Sequence, residues 1–329
     1  MGRRYSSVLS SFIAMVMLVV TFLVYAKNIA TIATSSPTSR QQSGVPVRPF
    51  PDIRSPKRAA ATTIPIANPQ EFTIDVPVLT YHYIRVVNQD QDPLGFSLSV
   101  APDDFRQEMA YLVAHGYHTI TPDDLYLSLK SRQHLPAKSV LLTFDDGYED
   151  FYTTVFPILK ELNLKATLFV VPGFVGEADG RYVSWPQVVA IDNSGLVTIA
   201  SHTIHHVDVT RSHLADQEIT LSKQMLEKKI GHEVTTFAYP YGMANEITAH
   251  FVEQAGYHLG FTTVLGTKMR LSNRVRLPRV RVAGGLSITQ FPVKLVPIPE
   301  HPSDQKILDT QPTQRPGLPD TSSHSKVGF

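Results

Sequence analysis

Ser139-Val140-Leu141-Leu142-Thr143-Phe144-Asp145-Asp146-Gly147-Tyr148 is the stretch on which the fold turns. Its first six residues form an apolar run that reads as a buried strand. The run ends on two adjacent carboxylates and a glycine turn. Two carboxylates at a strand tip repel each other and lose water, so such a pair serves to carry a metal or a proton. A second motif, His202-Thr203-Ile204-His205-His206, follows another apolar run, Leu196 to Ala200. Each motif alone has an ordinary explanation: Asp and Gly form turns, and a chain with 13 histidines in 329 residues produces a His-x-x-x-His pair by chance. Together, each at the end of a predicted strand, they point to one place. In a barrel or open sheet of parallel strands the C-terminal strand ends share one face. A carboxylate pair and two histidines meeting there are ligands for a divalent metal.

The composition bounds the rest. A length of 329 residues with 43% hydrophobic content allows one large domain or two small ones with a sizeable core. A net charge of +1 argues against nucleic acid as a partner of the chain as a whole. The absence of cysteine excludes disulfides, thiol nucleophiles and thiolate-bound zinc, and suits an oxidising compartment. Near the N-terminus, Val8 to Ala26 carries no charge and is long enough to cross a bilayer as a helix. Arg3 and Arg4 before it orient the N-terminus to the cytoplasm and the remainder outside. This reads as a single-pass plasma-membrane anchor. The alternative is a signal peptide cleaved after Val24-Tyr25-Ala26, which would release a secreted protein.

Four segments follow: an anchor with its cytoplasmic stub over 1–33, a Ser-, Thr- and Pro-rich linker over 34–72, a catalytic domain over 73–296 and a disordered tail over 297–329. Within the third, strands are expected over 78–84, 139–144, 166–171, 196–200, 235–239, 257–263 and 276–282. Helices are expected over 103–115, 121–130, 151–162, 185–192, 214–230 and 245–255. Strand and helix alternating over the whole domain give an α/β fold with a parallel sheet, and about seven strands make it a barrel.

The chemistry follows from the motifs. Successive residues of an extended chain point to opposite sides, so Asp145 and Asp146 take different roles, one binding the metal and one free as a base. His202 and His206, four apart, share a face if they lie on a helical turn. Two histidines and one carboxylate leave positions open for water and substrate, as catalytic rather than structural metal sites do. Such a metal lowers the pKa of a bound water and polarises a carbonyl, which is the chemistry of amide or ester hydrolysis. A third strand end, Tyr239-Pro240-Tyr241-Gly242, forms a sharp turn that is either plain packing or a carrier of the Tyr241 N–H toward a developing oxyanion. Tyr148, Trp185, Tyr239 and Tyr241 are candidates for a flat platform under sugar rings, though any one alone reads equally as core.

In order and spacing these motifs resemble those of the polysaccharide deacetylase family, carbohydrate esterase family four, over roughly residues 75–290. Ala255-Gly256-Tyr257, Gly260-Phe261-Thr262-Thr263 and Leu277-Pro278-Arg279 are weaker echoes. The resemblance implies a distorted (β/α) barrel with fewer than eight units. It implies Asp145 as general base, with Asp146, His202 and His206 as metal ligands. It also implies removal of N-acetyl, sometimes O-acetyl, groups from acetylated envelope polysaccharide. Zinc is the default metal for that donor set, with cobalt or nickel fitting equally. Ala238 stands where many members have an arginine contacting the base, and Arg279 or Arg281 is the candidate to replace it. No apolar strand ending in a histidine follows Arg281, so the usual source of the general acid is missing. These departures, with Leu79-Thr80-Tyr81-His82-Tyr83-Ile84, resemble the branch acting on poly-N-acetylglucosamine. His82 reads either as a site residue or as a packed histidine. The competing readings are an inactive carbohydrate-binding module and an O-acetyl esterase of the same fold.

Overall fold

The computed structural model describes residues 71–299. The expected anchor, the linker up to residue 70 and the tail from residue 300 lie outside the described residues. Among the described residues, no helix is long and apolar enough to cross a membrane.

Seven parallel strands close into a barrel: β1 (Val78–Tyr81), β2 (Ser139–Phe144), β3 (Ala166–Val170), β4 (Val197–Ser201), β5 (Thr236–Ala238), β6 (Leu259–Leu265) and β7 (Leu277–Arg281). Each pairs with its neighbour in sequence, and β7 returns to β1 through Val280 opposite Leu79. The outer layer comprises α1 (Pro102–Ala114), α2 (Pro122–Ser131), α3 (Phe156–Leu162), α4 (Trp185–Asp192), α5 (Ala215–Ile230) and α6 (Glu246–Gln254). Local chemistry sets the ends of these helices. Thr121 and Asp124 form a reciprocal capping box at the start of α2, and Gly231, at φ 83°, ends α5 in the left-handed conformation. No helix connects β6 to β7; instead Lys268–Arg270 pairs antiparallel with Thr73–Asp75.

Strand parity sorts the side chains into two cores. Val140, Leu142 and Phe144 of β2 face the helices, together with Leu168, Val170, Ile199, Phe237 and Tyr239. Leu141 faces the barrel interior with Val78, Phe169, Ala200, Ala238 and Leu277. Ile74, Met269, Leu125 and Leu129 join this inner core and close its N-terminal end. The C-terminal mouth is left for polar groups.

Two elements depart from expectation in ways that matter. The first strand stops at Tyr81 rather than running to Ile84: His82 leaves the sheet, and Tyr83–Ile84 pairs with Ser99–Val100 instead. The helix expected over 151–162 begins with a π-helical turn, Phe151–Val155, directly after the carboxylate motif. Such turns recur at functional sites because they re-aim side chains.

One buried carboxyl lies outside the mouth. Glu108 falls on the apolar stripe of α1 beside Phe105, Met109 and Leu112, and accepts a hydrogen bond from the Tyr81 hydroxyl at 2.9 Å. Burial raises its pKa to about 8. Between the ordinary carboxyl range and that value the unfolded chain has released this proton and the folded chain keeps it, so stability falls as pH rises. Glu108→Gln is therefore expected to match the wild type near pH 4.5 and exceed it by on the order of a few kcal/mol at pH 8. Thermal unfolding followed at both pH values checks this; parallel pH dependences in the two proteins would contradict it.

Candidate active site and metal centre

Four segments meet at the barrel mouth: the ends of β2, β4 and β5, and the seam where β7 lies beside β1. Asp145 continues the inward parity of Leu141 and Thr143. Its backbone N–H donates to Tyr81 O at 3.0 Å, which ties the end of β2 to β1. Its carboxylate meets Arg279 of β7 through two parallel contacts of 2.8 Å, Nη1 to Oδ1 and Nη2 to Oδ2. The guanidinium also donates to Thr262 O from Nε at 2.8 Å and to Thr143 Oγ1 at 3.3 Å. Both partners are buried, at 3% and 1% exposure. Burial opposes ionisation of Asp145, yet the charge and hydrogen bonds of Arg279, with nearby His202 and His82, hold its pKa below the usual range. Of the two arginines considered, Arg279 is the one that reaches Asp145; Arg281 is exposed and donates to Ser97 O.

Asp146 does not lie on an extended chain. An extended residue there would point outward, as Phe144 does. Instead φ is 74°, and the carboxylate turns into the mouth beside Asp145. His202 and His206 likewise do not share a helical turn. The loop after β4 is irregular, and left-handed backbone at Thr203 (φ 62°) and His206 (φ 54°) folds it so that the two rings approach to 5.0 Å. Asp146 Oδ1 lies 3.5 Å from His202 Nε2 and 3.2 Å from His206 Nε2. The Nδ1–H of His202 donates to Ala238 O at 2.7 Å, which leaves Nε2 with its lone pair facing the mouth. Burial disfavours charge on both His202 and Asp146, but their mutual contact prevails: the imidazole pKa is raised and the carboxylate pKa held well below its usual range.

These residues fit a metal ion. One ligand atom from each of Asp146, His202 and His206 lies within 4.8 Å of the others, and Asp146 Oδ1 is buried without a hydrogen-bond partner. Bonds of about 2.1 Å to one tetrahedral centre set donor atoms about 3.4 Å apart. The two measured separations fall on either side of that value. A mixed nitrogen and oxygen donor set of this kind suits zinc, cobalt or nickel.

The remaining candidates fare differently. Tyr241, at φ 60°, sets its half-exposed ring edge-on to His206 at 4.6 Å. The turn it occupies requires Gly242: at φ 71°, a Cβ there would stand 2.4 Å from Thr263 N. Tyr148 lines the mouth, but its ring stacks on Tyr83 at 3.7 Å and Tyr182 at 5.2 Å, so it offers an edge and not an open face. Tyr239 is a correction to the platform reading. It has no exposed surface and packs edge-on to Phe237 behind the barrel wall, because its parity is outward where that of Ala238 is inward. Trp185 is half-buried against the outer core with Lys229 over its ring, and it does not join the tyrosine stack.

Three residues at the site were not assigned roles from the sequence. His82 Nε2 stands 3.9 Å from Asp145 Oδ2, and its burial lowers its pKa against the pull of both aspartates. Asp150 accepts from Ile84 N–H at 2.9 Å and so anchors the segment carrying His82; burial raises its pKa to about 6. Glu218 of α5 accepts from the loop between the two histidines. His82 lay inside the strand expected over 78–84 and read either as a site residue or as packing; the structure puts it just past the strand's end. Asp150 and Glu218 had no local signal beyond charge within amphipathic helical patterns.

The Asp145–Arg279 pair makes a stability prediction. Removing one member of a buried pair leaves the other uncompensated, at about 3–5 kcal/mol. Arg279→Met is expected to lose that much in urea unfolding at pH 7, and the double variant Arg279→Met/Asp145→Asn to regain part of it. The depressed Asp145 pKa contributes stability that is present above the ordinary carboxyl range and lost as pH falls through the folded value. The wild-type advantage should therefore shrink on acidification.

The family model for polysaccharide deacetylases matches residues 132–260. The protein is 34% identical over 218 residues to YxkH of Bacillus subtilis (strain 168), which carries a polysaccharide deacetylase name; the match spans 66% of this chain and 74% of that protein. It is 28% identical over 253 residues to the poly-beta-1,6-N-acetyl-D-glucosamine N-deacetylase of Escherichia coli (strain K12), spanning 64% of this chain but 37% of that protein. Among solved structures, the Streptococcus pyogenes deacetylase PplD in complex with acetate matches with a TM-score of 0.63 at 28% identity, over 68% of this chain and 99% of that one. Motif, barrel and relatives agree: the chain belongs to the polysaccharide deacetylase family and is a deacetylase hydrolase.

Proposed function

We propose that the protein removes N-acetyl groups from an N-acetylglucosamine-containing envelope or extracellular polysaccharide, with poly-β-1,6-N-acetylglucosamine as the favoured polymer. The observation that carries this reading is the convergence of Asp146, His202 and His206 beside a base locked by Arg279. The kinship with the Escherichia coli enzyme supports the polymer.

Asp146, His202 and His206 would hold the metal, zinc by donor type, which would supply Lewis acidity to the acetyl carbonyl and to the attacking water. Asp145 takes the proton of that water as the C–O bond forms. The Tyr241 N–H receives the oxyanion. The C–N bond then breaks, releasing acetate and a free amine on the sugar. His82 delivers a proton to the leaving nitrogen and thus fills the place of the missing general acid. Burial lowers its pKa, so the resting ring is neutral, and the proton it delivers is the one Asp145 takes from the water, passed across the 3.9 Å between them. The Arg279 contact to Asp145 removes the main reason for reading the chain as an inactive binding module. The barrel is proposed to work outside the plasma membrane, tethered by the Val8–Ala26 run, or secreted if that run is cleaved.

Acetate release from poly-β-1,6-N-acetylglucosamine, chitooligomers and peptidoglycan, with and without chelator, tests the substrate. Release from the first that is lost on chelation is expected. Faster release from O-acetylated xylan would make the protein an esterase instead. Asp145→Asn is expected to abolish turnover while retaining bound zinc; full activity in that variant would refute the assigned base. His82→Ala is expected to lower kcat by about 10²–10⁴ with KM little changed. Unaltered kcat would remove His82 from the reaction.

A further inference from the structure

The loop Thr203–His206 holds a conformation that its own residues disfavour. Thr203 and His206 both occupy the left-handed region, which is strained for residues with a Cβ. No helical turn supports them. Something outside the loop must hold His206 in line with His202 and Asp146.

We propose that Glu218 is a positioning residue for the metal centre, its carboxylate fixing where His206 stands. This rests on the metal centre proposed above. Glu218 sits in the first turn of α5, 7% exposed, where the helix N-terminus favours its negative charge. Oε2 accepts from the backbone N–H groups of both Ile204, at 2.9 Å, and His205, at 3.0 Å. Oε1 contacts His205 Nδ1 at 2.8 Å. One carboxylate thus grips two consecutive peptide groups and the side chain between the two ligands. Hydrogen bonds to a charged group are stronger than neutral ones, so these three offset the strain of two left-handed residues. The other side of the loop is held as well. Gly173 N–H donates to Ile204 O at 2.9 Å, and a Cβ on Gly173 would stand 2.4 Å from that oxygen. His205 is thereby explained: it faces away from the centre, 62% exposed, and serves as a handle for Glu218 and not as a ligand.

Zinc affinity of the full chain, read by competition with a chromophoric chelator, tests this. Glu218→Ala is expected to weaken zinc binding by about 10–100-fold. Glu218→Gln keeps one acceptor oxygen and should fall between, which covers the case in which the alanine variant does not fold. Lys223→Met serves as control. Lys223 is buried on the same helix and bonds Val234 O, away from the loop, so its loss destabilises the helix without altering zinc affinity. Zinc binding by Glu218→Ala and Glu218→Gln within twofold of the wild type, or an equal loss in Lys223→Met, would overturn the inference. If the wild type itself fails to bind zinc, or binds it equally after His202→Ala, the metal-centre reading fails and takes this one with it.

Discussion

Arg279 lies inside the barrel with 1% of its surface exposed. A guanidinium in that position is tolerable only with a carboxylate in bidentate contact and further acceptors for its remaining N–H groups. Asp145 supplies the first, and Thr262 O and Thr143 Oγ1 the second. Much of the mouth follows from this pair. It binds β2 to β7 across the seam, keeps Asp145 ionised in a dry place, and orients its two oxygens. The arginine expected from the resemblance at the β5 turn, where Ala238 stands, is supplied here from β7, two strands along the barrel. The same charge is met from another strand, because the requirement is electrostatic and not positional.

Around that pair the backbone is repeatedly bent into the left-handed region. Asp146, Thr203, His206 and Tyr241 all have positive φ without being glycine. They account for four of the seven such residues among those described, and all four lie in the three loops that touch the centre. Strained backbone persists where its surroundings over-determine it. Here the surroundings are identifiable. Glu218 and Gly173 hold one loop, the tight packing of Gly242 on Thr263 holds another, and the β2–β1 contact at Asp145 N–H steadies the third.

What the sequence disclosed and what it hid divide along range. The strand Ser139–Phe144 depends on neighbouring residues and was legible to the residue. The residue types of the candidate metal centre were legible too, because two motifs each sat at a strand end. Their geometry was not: Asp146 and His206 reach the centre through backbone bends that neither residue type announces. Arg279 pairs with a residue 134 positions away, and only the closed barrel makes them neighbours. Tyr239 was misread as substrate-facing because its parity depends on β5's register with β4 and β6, which no local pattern reveals. His82 was ambiguous because the break after Tyr81 arises from pairing with Ser99–Val100, a contact outside the first strand itself.

The strands neighbour one another around the barrel in the order in which they leave the ribosome, and β7, the last to emerge, fills the place between β6 and β1. Until Leu277–Arg281 docks, Asp145 has no counter-ion and the cylinder is open along one side. A nascent or truncated chain ending before this strand carries Asp146, His202 and His206 and still lacks the arginine that pairs with Asp145. Synthesis from N- to C-terminus therefore delays activity until nearly the whole domain has emerged, a timing control that arises from the topology alone.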